Sequence, residues 1–381
     1  MIDNKIDLIA TSTFGLEAIV KRELEGLGFE DFQVENGKVN FKATMADIAR
    51  TNLWLRVADR VLLKMGEFKA YSFEELYNKT FALPWEDIIP ENGNFIIEGK
   101  SIKSKLYSIS DSQRIVEKAI VDKLKKKYKN VDWFTKDGPR YRVEVALLKD
   151  VATLTIDTSG AGLHKRGYRT RQGRAPLKET LAAAMVLLSY WNKDRVMFDP
   201  FCGSGTIPIE AAMIGRNIAP GLDRKFDAEE WDIMDEEIWK AARKEAFEAI
   251  DYKSNLDILA CDIDVRAVDT AIANAENLGL EEDIVFLTKD FRDMTLKNEY
   301  GVVITNPPYG DRLGEMEEVE ELYRDLGGKM KKLDSWSSYV ITSHKGFERL
   351  FGKKADRKRK LYNGRIEVDY YQYYGPRPPR K

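Results

Sequence analysis

Cysteine and histidine are almost absent: Cys202 and Cys261 are the only thiols, and His164 and His344 the only imidazoles, in 381 residues. Two cysteines cannot build a disulfide framework or a zinc cluster, so no metal is expected. No stretch approaches the roughly 18 apolar residues that a bilayer-crossing helix needs. Residues 1–12 lack the basic patch and apolar run of a secretory leader. A hydrophobic fraction of 43% beside 33% charged residues excludes disordered and fibrous classes. The expectation is a cytoplasmic protein of two or three domains, with no membrane partner; nothing in the residues bears on oligomeric state.

Charge of one sign is also scarce overall, with a net of only −2, yet it is unevenly placed. Residues 101–178 carry 19 Lys+Arg against 8 Asp+Glu, a net of +11, and residues 345–381 carry 12 against 4. Between them, residues 179–344 carry 18 against 34. A basic middle and a basic tail around an acidic block suggest a polyanionic partner gripped by part of the molecule.

Residues 1–65 read as a small α+β unit, with strands at Ile6–Ala10 and Val39–Lys42 and helices at Gly15–Leu27 and Met45–Leu55. Residues 66–160 continue the mixed pattern: a strand at Phe95–Gly99, a helix at Ser112–Tyr128, and a hairpin from Tyr141–Leu148 and Val151–Asp157. Residues 161–175, containing "HKRGYRTRQGRA", have no apolar periodicity and read as a basic linker. From 176 to 381 short apolar strands alternate with helices, which implies a parallel sheet covered on both faces. Ile366–Tyr373 closes the pattern as an antiparallel strand.

Three strand ends carry acids. "MFDPFCGSGT" brings Asp199 and Pro200 to a turn of Gly203, Ser204, Gly205 and Thr206 that opens a helix. Glycines there let a ligand approach the backbone closely. The turn is not a dinucleotide fingerprint, because Pro208 stands where the third glycine would, nor a P-loop, because the lysine is missing. Asp199 would repel phosphate but suits a ligand with an ammonium group. One strand later, "CDID" offers Asp262 to ribose hydroxyls and Ile263 to a ring. "KDF" then offers Asp290 to an adenine amine, with Phe291 against the ring. Singly, each acid reads better as a helix N-cap. Three in succession after a glycine turn describe S-adenosylmethionine.

The next strand, Val302–Thr305, runs into Asn306, Pro307, Pro308 and Tyr309. Two prolines end a strand and stiffen the turn that follows. The Asn306 amide oxygen and the Pro307 carbonyl can both accept from one exocyclic amine, and Tyr309 can stack on a base drawn out of its helix. Methyl transfer to such an amine needs positioning more than a strong base. The alternative is a plain strand-closing turn with Tyr309 in the core. Neither histidine is assigned a catalytic role, and Cys202, with nothing basic beside it in sequence, reads as packing.

"DPFCGSGT", "CDID", "KDF" and "NPPYG" resemble the motifs of class I S-adenosylmethionine-dependent amino-methyltransferases. "STFGLEAIVKREL", "KSIKSKLYSISDSQRIVEKAI", "LHKRGYR…APLKETLAAA" and "NIAPGLDRKF" are similar to THUMP-domain RNA methyltransferases, above all the bacterial 23S rRNA guanine-N2 enzymes and less closely the tRNA guanine-N2 group. The resemblance implies an α/β fold: a ferredoxin-like piece (1–65), a THUMP domain (66–160), and a Rossmann-like methyltransferase sheet (176–381). It also implies RNA, either rRNA or tRNA, as partner. Lys123 and Lys126 of the middle helix, with Lys165, Arg166, Arg169, Arg171 and Arg174 of the linker, are then candidate phosphate contacts. Some bacterial relatives carry a second, fused methyltransferase; the sequence to Lys381 shows none, which leaves the substrate open. Adenine-N6 methylation of DNA, a glutamine amide of a protein as acceptor, and a non-catalytic RNA-binding role are the competing readings.

Overall fold

The computed structural model describes residues 5–129, 134–169, 177–310 and 315–379. The chain divides into two units, the first made of residues 1–12, 20–163 and 224–245, the second of 13–19, 164–223 and 246–381. Among the described residues, no helix is long and apolar enough to cross a membrane. No group of three or more His, Cys, Asp or Glu among them is placed to hold a metal ion.

The first unit is built on β1 (Ile6–Thr11), β2 (Gln33–Glu35), β3 (Lys38–Ala43), β4 (Arg60–Lys69), β5 (Asn94–Ile102), β6 (Arg140–Leu148) and β7 (Val151–Asp157). They form one sheet in the order β2-β3-β1-β4-β7-β6-β5, in which β5 and β6 are parallel. Its helices are α1 (Glu17–Gly26), α2 (Met45–Trp54), α3 (Phe73–Phe81) and α4 (Ile109–Lys127). Side chains fix where three of them start: Thr44 N–H donates to Asp47 ahead of α2, Ser72 accepts from Glu75 N–H at α3, and Ser108 from Asp111 N–H at α4.

β4 runs through residue 65, pairing with β1 from Arg60 to Leu63 and with β7 from Leu62 to Lys69. A register shift between Lys64 and Gly66 interrupts its alternation. A Cβ at Gly66 would lie 2.7 Å from Leu83 Cδ2, so glycine is what lets the strand pass. Residues 224–245 belong to the first unit. Arg224 donates to the Gly162 carbonyl at 2.8 Å, and Trp231 donates to the Arg140 carbonyl at 3.0 Å while stacking on Tyr141.

The second unit contains α5 (Glu179–Leu188), β8 (Met197–Asp199), α6 (Thr206–Gly215), the end of α7 (Glu236–Glu248), β9 (Ile258–Asp262), α8 (Val265–Glu276), β10 (Ile284–Thr288), β11 (Val302–Thr305), α9 (Glu315–Lys331), β12 (Ser337–Thr342), α10 (Phe347–Phe351), β13 (Arg357–Asn363) and β14 (Ile366–Tyr373). The sheet order is β10-β9-β8-β11-β12-β14-β13, parallel except for β14. Every residue of β8, β11 and β12 is buried, as a sheet covered on both faces requires. From β8 the next strands β9 and β10 are added on one side and β11 and β12 on the other, so strand order reverses between β8 and β11, and the crevice at their carboxyl ends is where such sheets take ligands. The basic stretch Arg357–Lys360 forms the first part of β13. Lys360 and Lys358 there pair with Glu367 and Asp369 of β14 at 2.6 and 3.6 Å.

Candidate active site

One cleft of about 1100 Å³ lies at those strand ends. It is lined by Asp199, Pro200, Gly203, Ser204 and Thr206 after β8, Asp262 and Ile263 after β9, Asp290 and Phe291 after β10, and Asn306 and Pro308 after β11. Sequence positions spread over 110 residues therefore meet in a single concavity. Gly205 stands just behind it, at φ +81°, as the left-handed residue that starts α6. Gly203 is also left-handed, at φ +51°.

Asp199 is 1% exposed. Its Oδ1 accepts from Thr305 Oγ1 at 2.6 Å and from Phe201 N–H at 3.2 Å. Its Oδ2 is buried with no hydrogen-bond partner. Burial pushes this carboxyl up to about 7, against the two hydrogen bonds, and the negative charge of Asp262 adds to the rise. A buried carboxylate oxygen left without a donor fits a ligand that brings an ammonium group. The same burial raises Cys202 far above a reactive thiol and Cys261 to about 12, so both thiols pack and neither is nucleophilic.

Asp262 accepts Gly203 N–H at 2.9 Å on one oxygen and Asp264 N–H at 3.0 Å on the other, which locks the glycine turn to β9. Asp264, not Asp262, caps α8. Asp290 does cap a short turn, accepting Arg292 N–H at 2.9 Å, and also pairs with the Arg292 guanidinium. Capping and cleft-lining thus coexist at Asp290. Ile263 is 75% exposed at the cleft, an apolar surface ready for a ring, whereas Phe291 is buried edge-on against Phe201 at 4.9 Å.

At the β11 corner Pro307 is buried and Pro308 exposed. Tyr309 Oη donates to Asn306 Oδ1 at 2.6 Å, so the acceptor assigned to an amine already holds a donor. Two residues missed in the sequence support the corner: Thr305, which fixes Asp199, and Tyr323, which donates to the Pro308 carbonyl at 2.6 Å. A hydroxyl at the end of an otherwise aliphatic strand was the visible signal for Thr305. Tyr323 had none, because only packing brings α9 to the corner. His344 takes a structural place, its Nδ1 accepting Gly346 N–H at 3.1 Å.

The linker arginines divide. Arg166 is 2% exposed and its guanidinium pairs with the buried Glu210 at 3.1 Å, a placement at odds with a phosphate contact. Arg169 is nearly as covered, pairing with Glu179 at 3.0 Å and donating to the Leu177 carbonyl at 2.9 Å and to Thr206 Oγ1. These two guanidiniums tie the segment to α5 and α6. Arg171 and Arg174 lie outside the described residues. Lys165 and Lys126 are exposed, and Lys123 is half-buried against Glu86 at 3.2 Å.

A doubly wound sheet with acids at three strand ends and NPPY at the fourth defines an S-adenosylmethionine-dependent methyltransferase of the Rossmann-like class, here joined to a THUMP domain as in RNA methyltransferases. The chain belongs to the UPF0020 family: the RMKL-like methyltransferase domain matches residues 166–372, the RlmL ferredoxin-like domain 7–62 and the THUMP domain 70–157. It is 52% identical over 379 residues to YpsC of Bacillus subtilis (strain 168), provisionally described as an RNA methyltransferase, covering 99% of this chain and 98% of that one. A Listeria monocytogenes protein named, on prediction, an N6-adenine-specific DNA methylase is 52% identical, with a TM-score of 0.94 over 98% of this chain and 97% of that one. SMU.472, a methyltransferase solved with S-adenosylhomocysteine, is 46% identical, with a TM-score of 0.94 over 99% and 100%. TrmN from Thermus thermophilus, at 21% identity and a TM-score of 0.70 over 97% and 99%, shares the fold. S-adenosylmethionine is the cofactor, and it supplies an electrophilic methyl carbon on a sulfonium.

Proposed function

We propose that this chain methylates the exocyclic 2-amino group of a guanine in RNA, with 23S rRNA as the substrate. The observation that carries the reading is the contact between Tyr309 and Asn306 at the mouth of the cleft. A phenol hydroxyl occupies the acceptor in the absence of a base, and an N–H of the incoming amine takes its place. Asn306 Oδ1 and the Pro307 carbonyl orient the amine, and the freed Tyr309 ring stacks on the flipped base. Asp199 and the Gly203–Gly205 turn hold the methionine end of the cofactor, Asp262 its ribose, and Asp290 with Ile263 and Phe291 its adenine. The amine loses its proton only after accepting the methyl group, so the reaction needs no histidine base. Exposed Lys126 and Lys165, together with Arg171 and Arg174, contact phosphates.

The name of the Listeria relative supports a second reading, adenine-N6 methylation of DNA, because NPPY chemistry serves both amines. A THUMP domain in the same chain favours RNA. Incubation with rRNA, tRNA and DNA, followed by mass spectrometry of the nucleosides, separates them. N2-methylguanosine in rRNA is expected; N6-methyladenine in DNA, and none in RNA, would overturn the proposal. Asn306→Ala is expected to abolish transfer while affinity for S-adenosylhomocysteine stays within a few-fold. Turnover at the wild-type level in that variant would remove the amine-holding role.

A further inference from the structure

Tyr323 sits on α9 with no surface exposed, behind the cleft rather than in it. Its hydroxyl donates to the Pro308 carbonyl at 2.6 Å and lies 2.9 Å from Thr342 Oγ1, at the end of β12. Since the phenol has one proton and Pro308 takes it, the Thr342 hydroxyl donates to Tyr323. Thr342 Oγ1 in turn accepts His344 N–H at 3.1 Å. The result is a directed chain of hydrogen bonds from His344 through Thr342 and Tyr323 to the Pro308 carbonyl, each link polarising the next. The Tyr323 ring is wedged edge-on against Phe347 at 4.9 Å and His344 at 5.6 Å, so its hydroxyl has little room to wander.

Only φ and ψ are soft in a backbone. In the Asn306–Tyr309 corner, proline fixes φ at both 307 and 308. The residue before a proline is confined to extended conformations, which restricts ψ at 306 and at 307. Between the Cα atoms of Asn306 and Tyr309 what remains is ψ at Pro308, and that torsion decides where the Pro308 carbonyl points and where Tyr309 is carried. Tyr323 holds that carbonyl.

We infer that Tyr323 is a positioning residue for methyl transfer, fixing the one backbone torsion that the two prolines leave free. The inference rests on the reading of this corner as the amine's seat. Tyr323 touches neither substrate nor cofactor; it acts by holding Tyr309 at the angle from which the ring meets the base and by keeping the acceptors of the corner in register. A corner that is stiff everywhere except at one torsion gains most from a hydrogen bond at that torsion.

The test uses the full chain and three variants. Tyr323→Phe removes the hydroxyl and keeps the ring; Tyr323→4-aminophenylalanine restores a donor at the same place; Thr342→Val leaves the bond to Pro308 intact. Loss of the bond is expected to lower kcat by between about fivefold and about a hundredfold, the range from a single hydrogen bond to a misplacement of roughly 1 Å. Affinity for S-adenosylhomocysteine, measured by calorimetry, should not change, and amide exchange at Tyr309 and Gly310 should quicken. The amino analogue should recover most of the loss, and Thr342→Val should lose less than Tyr323→Phe. A Tyr323→Phe enzyme with wild-type kcat overturns the inference. So does a loss that the amino analogue fails to recover, or one matched by Thr342→Val without faster exchange at 309–310, since packing alone would then explain it. If Asn306→Ala also turns over normally, it is the assignment of the corner that fails, whereas loss in Asn306→Ala with no loss in Tyr323→Phe removes only the role of Tyr323.

Discussion

Affinity for S-adenosylhomocysteine as a function of pH interrogates Asp199 directly, because that ligand keeps the ammonium group and lacks the reactive methyl. Folding buries the Asp199 carboxyl and moves it from 3.8 to about 7. At pH 6 roughly one molecule in ten therefore carries the ionised form that an ammonium group needs. The association constant should fall about tenfold for each pH unit below 7, with one proton released on binding in that range, visible as a dependence on buffer ionisation enthalpy. At higher pH, where the ligand's own ammonium group loses its charge, affinity should fall again. The sign for stability is opposite. A carboxyl raised on folding binds its proton more tightly in the folded state, so its contribution is complete below pH 3.8 and is lost as pH rises through 7. That loss amounts to about 4 kcal/mol as an upper figure for this group. Asp199→Asn should bind weakly and without slope between pH 5.5 and 7.5. A wild-type affinity that is flat over that range would refute the reasoning, because Asp199 would then not be the group that meets the ammonium.

Two further substitutions test the frame of the cleft. Gly205→Ala places a Cβ on a residue at φ +81°, 2.9 Å from Ala271 Cβ, and should cost about 1–2 kcal/mol in urea unfolding with a matching loss of cofactor affinity; unchanged stability would show that the turn can relax. Glu210→Ala leaves the buried Arg166 guanidinium without its carboxylate and should destabilise by about 3–5 kcal/mol, whereas Arg166 as a phosphate contact would predict weaker RNA binding at full stability.

The chemistry of the second unit was legible because parallel strands are short, apolar and followed at once by the residues that matter. Asp199, Asp262, Asp290 and Asn306 each sit at or just past a strand's last apolar residue, and strand order then carries them to one sheet edge. The first unit hid one of its strands. β4 carries a glycine and a register shift where a clean alternation would have announced a strand, and it serves both halves of one sheet. Residues 224–245 look like any insertion between strand and helix, since Arg224 and Trp231 find their partners more than sixty residues away.

Side-chain purpose divided along the same line. Arginine spacing in "HKRGYR" shows that the guanidiniums are there for a reason, but a phosphate and a buried glutamate ask for the same group. Only the placement of Glu210 and Glu179 tells them apart. Sequence by itself determined the fold class, the strand-end acids and the stiff NPPY corner, because periodicity, glycine and proline act locally on the backbone. Tertiary structure alone decided that Arg166 is buried, that Asp199 keeps one oxygen without a donor, and that Tyr323 holds Pro308. Burial and hydrogen bonding between distant residues depend on which surfaces meet, and no local pattern encodes that.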